Sequence, residues 1–302
     1  MSGSGPKFVW VNGEVLPADA PHLPVTDRGF QLGDGIFETL RAKGGRCTEL
    51  PEHVARLRRS AAGLAFELPQ NVDAVLADGI ARLLAAEGLD GPGADASVRI
   101  TVSRGVWASR GLLPPRDVHL VPTIVVQAWP VEPPPAGHLE HGIALVASRI
   151  RRDPQNPIVT LKTTSRADYV YARIEARAAG ADDALFLTTA GHLSESTTAN
   201  VFLVRTAPDG VLELATPALD CAILPGTTRS WLLRWAASAG LRPFEGLLTP
   251  DELATADEAF LSSSVAGVLP VTRFNGHPIG AGVPGPWARR ARADREAVFG
   301  RG

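Results

Sequence analysis

Lysine is nearly absent from this chain. Of its 302 residues 30 are Lys or Arg, yet only three are lysines, Lys7, Lys43 and Lys162. Any chemistry that needs an amine therefore has three candidates. Cysteine is scarcer still: Cys47 and Cys221 lie far apart and belong to no CxxC or Cys/His cluster. Such spacing argues against a disulfide framework or a structural zinc and fits a reducing compartment. Neither sign of charge dominates, with 30 basic residues against 32 acidic and a formal net charge of -2, so there is no basic stripe for nucleic acid. No run approaches the roughly 18 apolar residues of a membrane span, and MSGSGPKFVW has no apolar core of signal-peptide length. These absences predict a cytoplasmic protein with neither a membrane nor a nucleic-acid partner. What the chain does have is a 45% hydrophobic and 21% charged composition, which suits a packed core and excludes whole-chain disorder.

The pattern along the chain reads as α+β. Phe8-Val9-Trp10-Val11 before Asn12-Gly13 predicts a strand entering a tight hairpin, and Gly35 to Arg41 before Gly44-Gly45 predicts a second. Pro51 opens a helix, another runs from about Val72 to Leu89, and strands follow near Val98–Thr101 and Ile124–Gln127. Residues 129–137, WPVEPPPAG, form the best linker, because clustered prolines favour stiff extended chain. They separate an N-terminal α+β domain, 1–128, from a C-terminal domain, 138–302. The latter is expected to hold a helix from about Ser165 to Ala179, grouped strands, a helix opening at Thr227-Thr228 and a closing helix through Trp287–Phe299.

Three segments carry candidate chemistry. Pro157 to Lys162 reads as a strand with Thr160 and Lys162 on one face. A desolvated lysine at its end would suit Schiff-base chemistry, and a solvated strand-end lysine is the plain alternative. Glu195, in the hairpin Gly191 to Asn200, could face a pyridine nitrogen and keep it protonated, or be an ordinary hairpin carboxylate. Leu224-Pro225-Gly226-Thr227-Thr228-Arg229 looks like a helix start, with Thr227 or Thr228 as the expected cap, whose free N–H groups and positive end suit a phosphate. Ser262-Ser263-Ser264 adds hydroxyls, and Arg56 could add a full positive charge. No dinucleotide or Walker-type phosphate loop occurs in a strand-to-helix setting. His138-Leu139-Glu140-His141 lacks further ligands, so no metal site is expected.

Together, Asp27 to Arg41, His53 to Leu57, Lys162, Glu195 to Asn200, Leu224 to Arg229 and Ser262 to Pro270 resemble the class IV pyridoxal-phosphate aminotransferases. That group includes branched-chain and D-amino-acid aminotransferases, (R)-amine transaminases and 4-amino-4-deoxychorismate lyases. The resemblance implies the two-domain α+β fold of fold-type IV enzymes: a smaller N-terminal α/β domain, a larger barrel-like C-terminal domain, the cofactor pyridoxal 5′-phosphate in the interdomain cleft, and usually a homodimer. By position, Lys162 would hold the cofactor covalently and move the proton. Glu195 would bind the ring nitrogen, Arg56, Thr227, Thr228 and Ser264 the phosphate with Ser263 beside them, and Leu224 the ring face. On the substrate side stand Phe37, Val265 and two arginines, Arg41 and Arg110, either of which could grip a carboxylate. Phe37 replaces a tyrosine usual in the D-amino-acid enzymes, and Leu112 a histidine. Tyr169 and Tyr171 read as packing residues. The expected reaction passes an amino group from a D-amino acid or (R)-amine to a keto acid such as pyruvate or 2-oxoglutarate. A lyase releasing pyruvate is the alternative, and a non-enzymatic protein of the same fold a remote one.

Overall fold

Asn12 and Gly13 both take positive φ, 48° and 108°. That is what a two-residue hairpin loop requires, and it folds β1 (Phe8–Val11) onto β2 (Glu14–Pro17). The computed structural model describes residues 5–299. Its contacts divide into two units. The first holds the described residues up to Glu132, with Leu161–Ser165 and Phe299; the second holds Pro133–Thr160 and Arg166–Val298.

In the first unit, α1 (Arg28–Leu32) opens on Asp27, whose carboxylate accepts from Gly29 N at 2.8 Å and from the Ser103 and Thr123 hydroxyls. Then come β3 (Gly35–Lys43), β4 (Arg46–Cys47), α2 (Leu50–Gly63), α3 (Val72–Glu87), β5 (Asp95–Ser103) and β6 (Thr123–Pro130). The six strands form an antiparallel sheet in the order β2-β1-β6-β5-β3-β4. Alternation sorts its two faces. Ile36, Leu40, Val98, Ile100 and Val126 meet Val54, Leu57, Leu76 and Ile80 of the two helices in one core. Phe37, Thr39 and Arg41 pair with Thr101, Arg99 and Ser97, and so present the other face. α3 approaches closely through Gly79, where a Cβ would come within 2.7 Å of the buried Trp10 indole. β6 extends through Trp129 and Pro130, which pair with Ser97 and Ala96 instead of starting a free linker.

The second unit runs β7 (Ile143–Arg152), α4 (Ala167–Ala178), β8 (Asp183–Thr188), β9 (Leu193–Ser196), β10 (Asn200–Thr206), β11 (Leu212–Pro217), α5 (Thr227–Ala239), β12 (Arg242–Gly246), α6 (Pro250–Ala254), β13 (Glu258–Ser263), β14 (Gly267–Phe274), β15 (His277–Pro278) and α7 (Pro286–Glu296). Strand neighbours follow β12-β11-β10-β13-β14-β7-β8-β9, and β9 pairs back onto β10. The six strands from β10 round to β9 thus close into a barrel. Leu185, Leu187, Val201, Leu203 and Leu261 fill its inside. Outside, Phe202, Val204 and Phe260 pack under Leu232 and Trp235 of α5 and Ala288 and Ala291 of α7, while Ala184 and Phe186 pack under α4. Strands buried on both faces read as continuous apolar runs, as in Asp183–Thr188, where every residue is buried.

Residues 157–160 form turns, not the strand expected there. The cause is local. Pro154 and Pro157 cannot donate to a ladder, and the Asp153 and Asn156 side chains instead accept from Gln155 N and Ile158 N two residues on. Among the described residues no helix is long and apolar enough to cross a membrane.

Candidate functional site

Lys162 sits in the first unit although sequence number would place it in the second. Its carbonyl accepts from Phe37 N at 2.9 Å, its own N–H donates to Ser60 Oγ at 3.1 Å, and Thr164 N donates to Gly35 O at 2.9 Å. A bridge between Ile36 and Thr163 completes the pinning of residues 162–164 to the start of β3. The Lys162 ammonium lies 4.6 Å from the centroid of the Phe37 ring, and the Arg99 guanidinium 4.0 Å from the same centroid. Lys7 and Lys43 are both exposed. Of the three amines, only Lys162 is half-buried and fixed by its backbone.

Arg56, on α2, grips Glu38 with a two-point fork, Nε to Oε1 at 2.8 Å and Nη2 to Oε2 at 2.6 Å, and His53 Nδ1 lies 2.7 Å from Oε2. Burial alone would raise the Glu38 pKa; the fork and the imidazole override it and bring it to about 2. Arg41 also holds a carboxylate, gripping Asp95 at 2.7 and 2.6 Å, and it stacks 4.1 Å from the Phe299 centroid. Arg110 is exposed on the segment after β5. A third arginine orders that segment: Arg28, 2% exposed, donates to Asp34 and to the carbonyls of Gly111 and Leu112.

In the second unit, Glu195 is 5% exposed and accepts at Oε2 from Leu224 N at 2.9 Å and Asn200 Nδ2 at 3.4 Å. Arg152 Nη2 stands 3.5 Å from Oε1. Arg152 is itself fixed by Tyr169 Oη at 2.5 Å, Val159 O at 2.9 Å and Ala222 O at 3.2 Å. Burial, with Glu195 nearby, pushes the Tyr169 phenol above its ordinary pKa, so it stays protonated. Tyr169 does pack, edge-on to Phe186 at 5.3 Å, but its hydroxyl also belongs to this cluster. α5 begins at Gly226 with no side-chain cap. A Cβ there would fall 2.2 Å from Asn200 Oδ1, so only glycine lets the turn approach the asparagine this closely. Thr227 and Thr228 are buried, and Thr227 Oγ1 lies 3.2 Å from Ser264 Oγ. Ser263 Oγ accepts from Ala266 N, and Val265 is half-buried in the same β13–β14 turn. Ser262 Oγ is buried with no hydrogen-bond partner among the described residues.

These groups suit pyridoxal phosphate. An uncapped helix start lined by hydroxyls matches a phosphate dianion, a buried carboxylate matches a ring nitrogen, and a fixed lysine matches a carbonyl. Within the second unit the structure brings Glu195 to Leu224 and Thr227 to Ser264; within the first it brings Lys162 to Phe37 and ties Arg41 and Arg56 to acidic partners. Reading the sequence missed Arg99, Arg152 and the Tyr169 hydroxyl. Alternation could have found Arg99: Ala96, Val98, Ile100 and Val102 mark one face of β5, which puts Arg99 on the other.

Comparison with known proteins agrees with the geometry. The family described as amino-transferase class IV matches residues 35–274. A Methanocaldococcus jannaschii protein assigned as a branched-chain-amino-acid aminotransferase is 34% identical over 90% of this chain and 89% of its own length. D-alanine aminotransferase of Bacillus licheniformis is 28% identical over 94% of each chain. The crystal structure of the Eschelichia coli branched-chain amino acid aminotransferase superposes with a TM-score of 0.87 at 26% identity, covering 97% of this chain and 94% of that one. A second branched-chain amino acid aminotransferase, crystallised with pyridoxamine 5′-phosphate, superposes with a TM-score of 0.88 at 28% identity, covering 100% of this chain and 96% of its own. By that family match, with a half-buried lysine and an uncapped helix start to accompany it, the chain belongs to the class IV aminotransferases, enzymes that use pyridoxal 5′-phosphate.

Proposed function

We propose that this aminotransferase moves an amino group between an amino acid, D-configured, and a 2-oxo acid such as pyruvate or 2-oxoglutarate, as a homodimer. The observation that carries the amino-acid part is the Phe37 ring with Lys162 at 4.6 Å and Arg99 at 4.0 Å. A substrate whose α-carbon met the lysine amine would offer its carboxylate to the guanidinium on the same ring, a contact a simple amine cannot make. Arg99 takes this role from beside the Phe37 ring, its Nε donating to Thr101 Oγ1 at 3.2 Å, whereas Asp95 closes a two-point carboxylate fork on Arg41. The D configuration is supported by the D-alanine aminotransferase relative. Homodimer formation is supported by Val25, Phe30, Leu112, Leu113 and Val121, all at least 70% exposed in the first unit. Apolar side chains in such number suit a protein partner, and Arg28 holds the loop that carries three of them.

Bound pyridoxal phosphate supplies an electron sink that weakens the bonds at the substrate α-carbon. The protein does the rest. Lys162 would hold the cofactor at its carbonyl carbon, and its amine would then take and return the proton of the substrate α-carbon. Glu195, kept in place by Leu224 N and Asn200, holds the proton on the ring nitrogen. Thr227, Thr228 and Ser264 take the phosphate at the positive end of α5, and Arg56 adds charge from a position Glu38 fixes.

A half-reaction panel without acceptor tests this reading, following conversion of the visible lysine-bound band to the pyridoxamine form. D-alanine and D-glutamate are expected to convert it, with L-leucine and (R)-1-phenylethylamine at least about tenfold slower. Faster conversion by L-leucine would overturn the D configuration, and equal conversion by the amine would overturn the role of Arg99. Pyruvate released from aminodeoxychorismate with no acceptor would establish the lyase instead. Lys162→Ala is expected to lose roughly 10²–10⁴-fold in rate.

A further inference from the structure

α7 packs its Ala288, Ala291 and Arg295 face inward. The first two are small and apolar, as a buried stripe requires, but the third is an arginine only 1% exposed. Burying a guanidinium is costly unless it does something there. Arg295 lies along the first turn of α5: its Nη2 donates to Thr228 Oγ1 at 3.3 Å, and its guanidinium stands 5.2 Å from the Trp231 ring, one turn further on.

We propose that Arg295 is a positioning residue for the cofactor phosphate: by donating to Thr228 it turns that hydroxyl into an outward donor at the start of α5. This rests on the reading of Thr228 as a phosphate ligand given above. A guanidinium can only donate, so Thr228 Oγ must accept, and its own proton has to point elsewhere. The usual competitor for a helical threonine is the carbonyl four residues back. Here that is Leu224, which precedes the helix and whose oxygen, accepting from Asn200 Nδ2 at 3.0 Å, has one acceptor position already filled. The field acts the same way. A cation beside the positive end of a helix raises the potential there, and an anion at that end relieves it. Arg295 therefore both orients the hydroxyl and favours a dianion at the same point.

The test compares binding of pyridoxal phosphate with that of pyridoxal, which lacks the phosphate, to the full-length protein stripped of cofactor. Uptake is read from the visible band of the lysine-bound form. Arg295→Gln is expected to weaken pyridoxal phosphate about tenfold and pyridoxal less than about twofold. Thr228→Val should do the same, and the double variant should be no worse than about twofold beyond either single one. Equal losses for both ligands, or losses that multiply in the double variant, would overturn the inference. If Arg295→Gln does not fold, Arg295→Lys decides: a retained preference for the phosphate form supports the role, and parallel loss of both ligands overturns it. Thr228→Val with its phosphate preference intact would sink the underlying reading of Thr228. A loss in Thr228→Val with none in Arg295→Gln would sink the role of Arg295 alone.

Discussion

Two buried carboxylates, one in each unit, each face an arginine, and the pairs are built differently. Glu38 takes a two-point fork from Arg56 at 2.6 to 2.8 Å and an imidazole besides. Glu195 takes two N–H groups at one oxygen and stands 3.5 Å from Arg152 at the other. A carboxylate closed in by short charge-assisted bonds is a structural anchor. One held by two N–H groups at a single oxygen, with a cation 3.5 Å from the other, is oriented without a two-point charged fork. The difference sets a forked anchor apart from a more loosely approached carboxylate in a chain where arginine serves both.

Substitution should separate the two pairs in opposite directions. Glu38→Gln strands the Arg56 charge in the core and is expected to cost about 3 kcal/mol in denaturant unfolding, whereas Glu195→Gln should leave unfolding nearly unchanged and lower kcat by roughly a hundredfold. If Glu38→Gln unfolds like the wild type, the anchor reading fails. Acid sharpens the same contrast. The Glu38 pKa is lowered on folding from 4.5 to about 2, so its stabilisation, roughly 3 kcal/mol, is complete above about pH 5 and fades as pH falls toward 2. Glu38→Gln should flatten that part of the acid-unfolding curve.

A smaller effect distinguishes the two arginines of the sheet face. Arg99→Met is expected to raise KM for an amino-acid substrate about tenfold with folding unchanged, and Arg41→Ala to lose about 1 to 2 kcal/mol of stability with KM unchanged. Reversed results would exchange their roles. Least should follow from Arg58→Ala: its ion pair with Asp73 is exposed on both sides, and surface pairs contribute under about 1 kcal/mol. A larger loss in thermal unfolding would show that exposure is a poor guide in this chain.

Much of the candidate site is legible in the sequence. With three lysines, chemistry that guanidinium cannot perform leaves few candidates, and Lys162 can be singled out. The start of α5 can be read from Pro225-Gly226 and the threonines after them, because helix-start signals are local, although neither threonine caps the helix. What stays hidden is non-local. Nothing near residue 162 announces that residues 162–164 join β3, since those hydrogen bonds run to residues 35 and 37 and to Ser60. Arg99, Arg152 and Arg295 are hidden by abundance: in a chain this rich in arginine, only partners and burial tell a working guanidinium from a surface one.

The barrel closes at one register pair, where Asn200 of β10 meets Glu195 of β9. The carboxylate proposed to face the pyridine is therefore also the seam. Its Asn200 donor comes from the pairing that seals the ring, so a folding chain acquires this feature of its chemistry when a long-range contact forms, and such contacts are slow to form. Competence to hold the cofactor ring should consequently lag behind the appearance of β-structure during refolding, which makes the cofactor's visible band a clock for barrel closure.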